Sequence, residues 1–291
     1  MNNTPDNSKT VKAWILYDFA NSAYTTLIVT FIYATYFTQA IAENDIIGTA
    51  LWSRGVTITA LVVALLSPIL GSIADHSNKR KSFLIFFTGV TVIGSAMLYT
   101  AMPGQVMYAL FWFVLSNIAF EMASVFYNAY LPDIAPKEKI GRVSGYGWAM
   151  GYVGGLLAMF LAMIGFVNPE QPWFNLATDT GENIRATNLL VALWFTIFSI
   201  PFLLIVKDKK IVHPNLPQSA RQSLLELKKT FQKLKKYRQM IIFLIARLLY
   251  NDGLTTIFAF GGIYAAGTFG FSFQEIMIFG VVLNITAGLG A

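Results

Sequence analysis

Apolar residues run along this chain in long blocks separated by short polar intervals, without the strict alternation that marks a half-buried strand. About 20 apolar residues carry a helix across a bilayer. By that measure the blocks predict spans at 12–41, 51–74, 82–101, 106–131, 143–166, 188–206 and 239–266. An eighth begins near 274 and has not finished at Ala291. One interval differs: within 207–238, Leu224, Leu227, Phe231 and Leu234 fall at three- and four-residue steps with lysines between them, the pattern of an amphipathic helix lying on a membrane surface. The expected class is an all-α polytopic membrane protein. Its expected organisation is a six-span bundle (1–206), a basic amphipathic linker (207–238) and the start of a second bundle (239–291).

Composition agrees, with 55% hydrophobic residues, 12% charged and a mean hydropathy of +0.56. The polar first ten residues and the lack of a small-residue cleavage site after the first block make span 1 a retained anchor. A pI near 9.4 could suggest a nucleic-acid partner, but the placement of the bases gives it another meaning. The N-terminus, the connection between spans 2 and 3, that between spans 4 and 5, and the 207–238 segment hold two, three, three and ten bases, eighteen of the 21. The alternate loops carry Glu43, Asp45, Glu170, Asp179 and Glu182 with only Arg185. By the positive-inside rule the basic side and the N-terminus are cytoplasmic. The basicity therefore encodes topology, and the expected partners are a lipid bilayer and a small-molecule substrate, not nucleic acid; the oligomeric state is left open.

Polar residues inside the spans carry the candidate chemistry. Asp18, Asn21, Ser22 and Thr25 occupy one helical face of span 1. An Asp at a span centre costs about 2.5 to 3.5 kcal/mol on insertion scales, so this face should not meet lipid. Span 4 repeats the pattern with Asn117, Glu121, Ser124 and Asn128, and span 7 with Arg247, Asn251 and Thr255. These faces either line a pathway or form buried structural hydrogen bonds. At 1.5 Å per residue, Asp18 lies about 9 Å from Lys12, Glu121 about 18 Å from Asp133 and Arg247 about 14 Å from Arg238. Glu121 and Arg247 thus share a depth near the midplane on opposite halves. They suit a bound zwitterion, with its carboxylate at the guanidinium and its ammonium at the Glu. Alternatively Glu121 titrates in a proton-coupled carrier, or the two form a permanent ion pair. Gly147, Gly151 and Gly155 in span 5 predict a face for close helix packing, and the six tryptophans are expected mostly at the lipid or in interfacial belts.

Two loops carry a resemblance. "GSIADHSNKRK" (71–81) is similar to the G-x-x-x-D-R-x-G-R-K-R/K loop of the major facilitator superfamily through Gly71, Asp75, Lys79, Arg80 and Lys81, with His76 and Asn78 departing from it. "LPDIAPKEKIGRVSG" (131–145) resembles that superfamily's P-x-x-x-x-G-R element through Pro136, Gly141 and Arg142. The resemblance implies a cytoplasmic charge cluster that holds one face closed, with Asp75 and Arg142 as its pair; the bases serve this gate or only orient the chain. It also implies twelve spans, so the chain is expected to be a fragment, and it implies that spans 1, 4 and 7 line the central cavity. A weak repeat, "NSAYTTLIVTFIYA" (21–34) with "NDGLTTIFAFGGIYA" (251–265), makes spans 1 and 7 equivalents. "YDFANSAY", "FYNAYLPDIAP" and "GRVSGYGWAMGYVGGLLA" together resemble the vacuole effluxer family. That implies export of amino acids or related zwitterions by alternating access, in a bacterial inner membrane or a vacuolar one.

An intramembrane enzyme would need a nucleophile with its base, or a metal pair, at membrane depth. The chain has no cysteine, its two histidines (His76 and His213) fall in connections, and no HExxH or GxSxG occurs in a span. No enzyme, metal or cofactor is expected. The alternatives are a sensor that binds solute without moving it and a transporter of an unrelated small solute.

Overall fold

The computed structural model describes residues 7–77, 79–208 and 237–290, with the side chains of 7, 72, 75–77 and 273 excluded. The amphipathic helix expected within 207–238 and His213 lie outside the described residues, as do the side chains of Asp75 and His76.

Among the described residues, seven helices are long and apolar enough to cross a membrane, and a shorter apolar helix follows. Span 1 starts as the α-helix Asn7–Ala23 and continues through π-helical turns, Tyr24–Phe31 and Phe37–Ile41, around a short α-helical piece, Ile32–Tyr36. Spans 2 to 6 are Asp45–Ser77, Arg80–Leu98, Val106–Asn128, Ile140–Ala162 (prolonged by the π-turn Met163–Val167) and Glu182–Ile205. Span 7 is Arg238–Phe269 and the eighth helix Phe273–Gly290. Several helices outrun their apolar blocks because their ends are stabilised by other means. Asp45 sits in the first turn of span 2, at the positive end of the helix dipole. Gly181 precedes span 6 at φ +66°, where a Cβ would also strike the ring of Tyr36 at 2.7 Å.

Span 1 is the axle of the six-helix bundle, packed between spans 5 and 6, while span 3 packs on spans 4 and 6 and span 2 on span 4. The span 5 glycines make the first of these contacts possible. A Cβ on Gly147 would stand 2.6 Å from the Trp14 ring, one on Gly151 2.7 Å from Ser22 Oγ, and one on Gly154 would fall into the backbone of Phe19. The tryptophans correct the expectation of a lipid belt, since Trp14, Trp52 and Trp194 are buried and only Trp148 and Trp173 are exposed. Trp14 stacks on Tyr127 with centroids 4.6 Å apart and donates to Tyr127 O; Trp194 donates to Phe19 O. A ring that finds a stacking partner and an acceptor inside the bundle gains more there than at the interface.

The two halves meet along two lines. Span 7 touches span 1 over Tyr24–Tyr36, where a Cβ on Gly262 would lie 2.6 Å from Thr30 O. The eighth helix packs on span 5, with Gly280 against Met159 and Gly288 against Tyr152. The repeated segments 21–34 and 251–265 are therefore in contact with each other, as equivalent elements of two related halves would be.

Candidate functional site

The polar stripe of span 1 divides into groups that are spent and groups that are free. Ser22 donates to Asp18 O at 2.9 Å and Thr25 to Ser22 O at 3.0 Å, so both hydroxyls bond within their own helix. Asn21 is buried with its amide beside the Asp18 carboxyl. Asp18 itself is half-buried against the glycine face of span 5, 3.1 Å from where a Gly147 Cβ would be, and forms no ion pair among the described residues. On span 4, Asn117 is buried, Ser124 bonds back to Phe120 O, and Glu121 and Asn128 are exposed.

Arg247 and Asn251 line, with Asp252, Thr255 and Ala60 of span 2, an open concavity of about 630 Å³. Neither Glu121 nor Arg247 has an ion-pair partner among the described residues, so the structure contains no permanent bridge between them. Among the described residues, three charges on spans 1, 4 and 7 thus stand in membrane-spanning helices without an ion-pair partner, with the Asp252 carboxylate sharing the concavity of Arg247. The structure does not bring Arg247 onto Glu121: the concavity places it beside span 2.

At the basic end, a charge cluster different from the expected Asp75–Arg142 pair is built around Arg80. Arg80 bonds Asp133 at 2.8 Å and Ala129 O at 3.0 Å, and lies 5.3 Å from the centre of the Tyr130 ring. Asp208 accepts from the backbone N–H of Lys81 at 3.1 Å and from the Tyr130 hydroxyl. Spans 3, 4 and 6 are thereby tied together where span 3 begins, and the Asp208 carboxylate caps its positive end. Arg142 and Lys79 are exposed, and Gly71 has open space where its Cβ would be. Asp133 and Asp208 escaped the sequence reading because nothing local marks them as partners of Arg80.

The opposite end holds a second knot. Arg185, buried, donates to Tyr99 O, Thr180 O and Tyr36 Oη at 3.1, 2.8 and 3.2 Å. Tyr99 in turn donates to Glu182 at 2.8 Å, which holds its phenol above the usual tyrosine range. The single base of the outer loops is a structural clamp, fixing the far ends of spans 1, 3 and 6.

A six-helix bundle joined through facing equivalent helices to the start of another defines a major facilitator fold. Two solved structures share it, both of XylE and both at identities that speak for fold alone. One is the proton:xylose symporter bound to 6-bromo-6-deoxy-D-glucose (TM-score 0.59, 14% identity, 98% of this chain and 67% of that one). The other is the E. coli xylose transporter in a partially occluded inward-open conformation (TM-score 0.63, 13%, 97% and 71%).

The family model described as "Vacuole effluxer Atg22 like" matches residues 42–291, and the chain belongs to that family. Its relatives include the uncharacterized MFS-type transporter YxiO of Bacillus subtilis, 27% identical over 96% of this chain and 65% of that protein. Autophagy-related protein 22 of Yarrowia lipolytica is 22% identical over 83% of the chain and 52% of its own length. The chain thus spans between about half and two thirds of these relatives. The Bacillus relative is described as an MFS-type transporter, of a non-enzymatic class, and with seven helices of membrane-spanning length among its described residues the chain is an integral membrane protein.

Proposed function

We propose that this chain supplies the first bundle and the opening helices of the second in a secondary transporter that exports a small zwitterionic solute, an amino acid or a close relative, by alternating access. The observation that carries this reading is the set of unpaired charges, Asp18, Glu121 and Arg247, on three helices from both halves. An unpaired charge at membrane depth costs several kcal/mol and is retained where a ligand or ion completes it. Arg247 offers a two-pronged donor for a carboxylate, and Asp18 and Glu121 are the acids available to an ammonium. Efflux is favoured by the family to which the chain belongs. The basic end faces the cytoplasm in this reading, because the eighteen bases gather there. The Arg80–Asp133 and Asp208 contacts hold that end of the first bundle together as it rocks, and Asp75 and Arg142 add to the gate.

The test is exchange by the full-length protein in proteoliposomes loaded with unlabelled amino acids. Labelled amino acid should accumulate transiently against the loaded pool. A protein that binds amino acids in a thermal-shift titration yet never exchanges them is a sensor, and the transport reading then fails.

A further inference from the structure

Arg247 and Asp252 line one concavity on span 7, yet among the described residues neither forms an ion pair with the other. The helix itself keeps them apart. At 3.6 residues per turn and a rise of 1.5 Å per residue, Asp252 stands about 7.5 Å along span 7 from Arg247 and about 140° around it. Side chains three or four apart on a helix are neighbours, and those five apart are not. Leu248, Asn251 and Thr255 fall inside the arc between the two charges, at about 100°, 40° and 80° from Arg247. Ala60 of span 2 closes the concavity from the other half of the protein.

The concavity therefore carries a guanidinium at one edge and a carboxylate at the other. Between them lie an amide and a hydroxyl, with Leu248 and Ala60 as apolar wall. Its volume of about 630 Å³ is in the range of sites for small organic molecules.

This arrangement selects among classes of solute. An anion alone would meet Arg247 but also face Asp252, and an organic cation alone would meet Asp252 but also face Arg247. A hard metal ion requires several oxygen ligands, and no group of three metal-binding side chains occurs among the described residues. A zwitterion satisfies both edges at once, with a charge-assisted bond at each. Of the described acids, Asp252 is the one that lines this concavity; Asp18 lies against the glycine face of span 5 instead.

We propose that the zwitterionic head of the solute is held by span 7 alone, its carboxylate at Arg247 and its ammonium at Asp252, with its side chain against Leu248 and Ala60. Asp252, in place of Asp18 or Glu121, is then the acceptor for the amine. The assignment rests on the transport reading for the class of solute, but the binding site itself can be tested without transport.

Full-length wild type, Asp252→Asn, Arg247→Lys, Ala60→Leu and Gly253→Ala are compared, the last placing a methyl group beside Asp252 in open space. Each is titrated with leucine, with 4-methylpentanoate (leucine without its amine), with isoamylammonium (leucine without its carboxylate) and with glycine, using thermal unfolding as the readout. Leucine should stabilise wild type, and its apparent affinity should fall at least about tenfold in Asp252→Asn and in Arg247→Lys while staying within about twofold in Gly253→Ala. Asp252→Asn should lose isoamylammonium and keep 4-methylpentanoate, and Arg247→Lys should do the reverse. Ala60→Leu should bind leucine at least about tenfold more weakly and glycine within about twofold of wild type. Should Asp252→Asn show no unfolding transition, the selective loss of leucine over glycine in Ala60→Leu decides. The site is refuted if leucine fails to stabilise wild type, if Ala60→Leu binds it normally, or if Asp252→Asn does, which returns the ammonium to Asp18 or Glu121. Wild type that shows the expected pattern of binding but no leucine counterflow keeps the site and removes the transporter. Leucine counterflow that survives undiminished in Asp252→Asn keeps the transporter and removes the site.

Discussion

Glu121 and Arg247, expected from sequence to share a depth near the membrane midplane, form no ion pair among the described residues, and that separates two costs which sequence alone leaves tangled. In a buried ion pair, removing one partner strands the other and destabilises by about 3 to 5 kcal/mol. Neither residue here has a partner among the described residues. Arg247→Lys, which keeps the charge, should therefore shift the unliganded unfolding free energy of the full-length protein by less than about 1 kcal/mol, and Glu121→Gln, which removes an uncompensated charge, should leave it unchanged or raise it. Arg247→Lys should still weaken binding of an amino-acid ligand by about 1.5 to 3 kcal/mol, because an ammonium cannot replace a two-pronged contact. A large loss of stability in either single variant, recovered in the double Glu121→Gln and Arg247→Met, would reinstate the permanent pair. At this scale the chain was half legible. The charged positions stand out because hydrocarbon makes them expensive, but sequence does not tell that the hydroxyls of Ser22 and Thr25 are spent on their own helix. Nor does it tell that Trp14 finds its stacking partner 113 residues away.

Helices depend here on how closely their backbones approach. On span 5, Gly154 admits the Phe19 backbone, which cannot move aside as a flexible side-chain end can. Gly154→Ala should cost about 1 to 3 kcal/mol through overpacking. Gly253, with nothing within 4 Å of its would-be Cβ, is the control. Gly253→Ala should leave stability unchanged or raise it by up to about 1 kcal/mol, since Ala restricts the backbone without a clash. Equal melting temperatures for the two variants would mean the span 1–span 5 contact is looser than described. At the basic end, Asp208→Ala leaves the Lys81 N–H and the Tyr130 hydroxyl without their acceptor and should cost about 1 to 3 kcal/mol, read by the same melts. Spans were the most legible feature, because about 20 apolar residues have few other uses. The π-turns of span 1 and the junction of Asp208 with span 3 were not, since both are settled by neighbours remote in sequence.

For the whole molecule, the asymmetry of the bases predicts a direction that the packing cannot supply. A tag inserted at 215 should be cytoplasmic and one at 178 external, and accessibility of the first from outside intact cells would overturn the topology. The contact between halves adds a further consequence. Gly262 is placed so that a Cβ would lie 2.6 Å from Thr30 O, 3.3 Å from Thr35 Oγ1 and 3.4 Å from Phe31 Cα. The first of these is backbone, so a larger residue must push spans 1 and 7 apart at the end remote from the basic loops. A transporter that alternates must open this seam in one state and close it in the other. Bulk at 262 therefore penalises only the closed seam, by about 1 to 3 kcal/mol, which shifts the balance of states about 5- to 150-fold. These 291 residues hold no cysteine, so once any cysteine of the remaining helices is replaced, single cysteines report without background. With Gly262→Val, a cysteine at the buried Thr35 should label faster from outside with an impermeant maleimide, and one at Asn251 in the concavity should label more slowly from the cytoplasmic side. A rise at Thr35 without a fall at Asn251 would mean local loosening. No change at either, in a protein that still folds, would mean that this seam does not move, and that the halves exchange access along the contact between span 5 and the eighth helix instead.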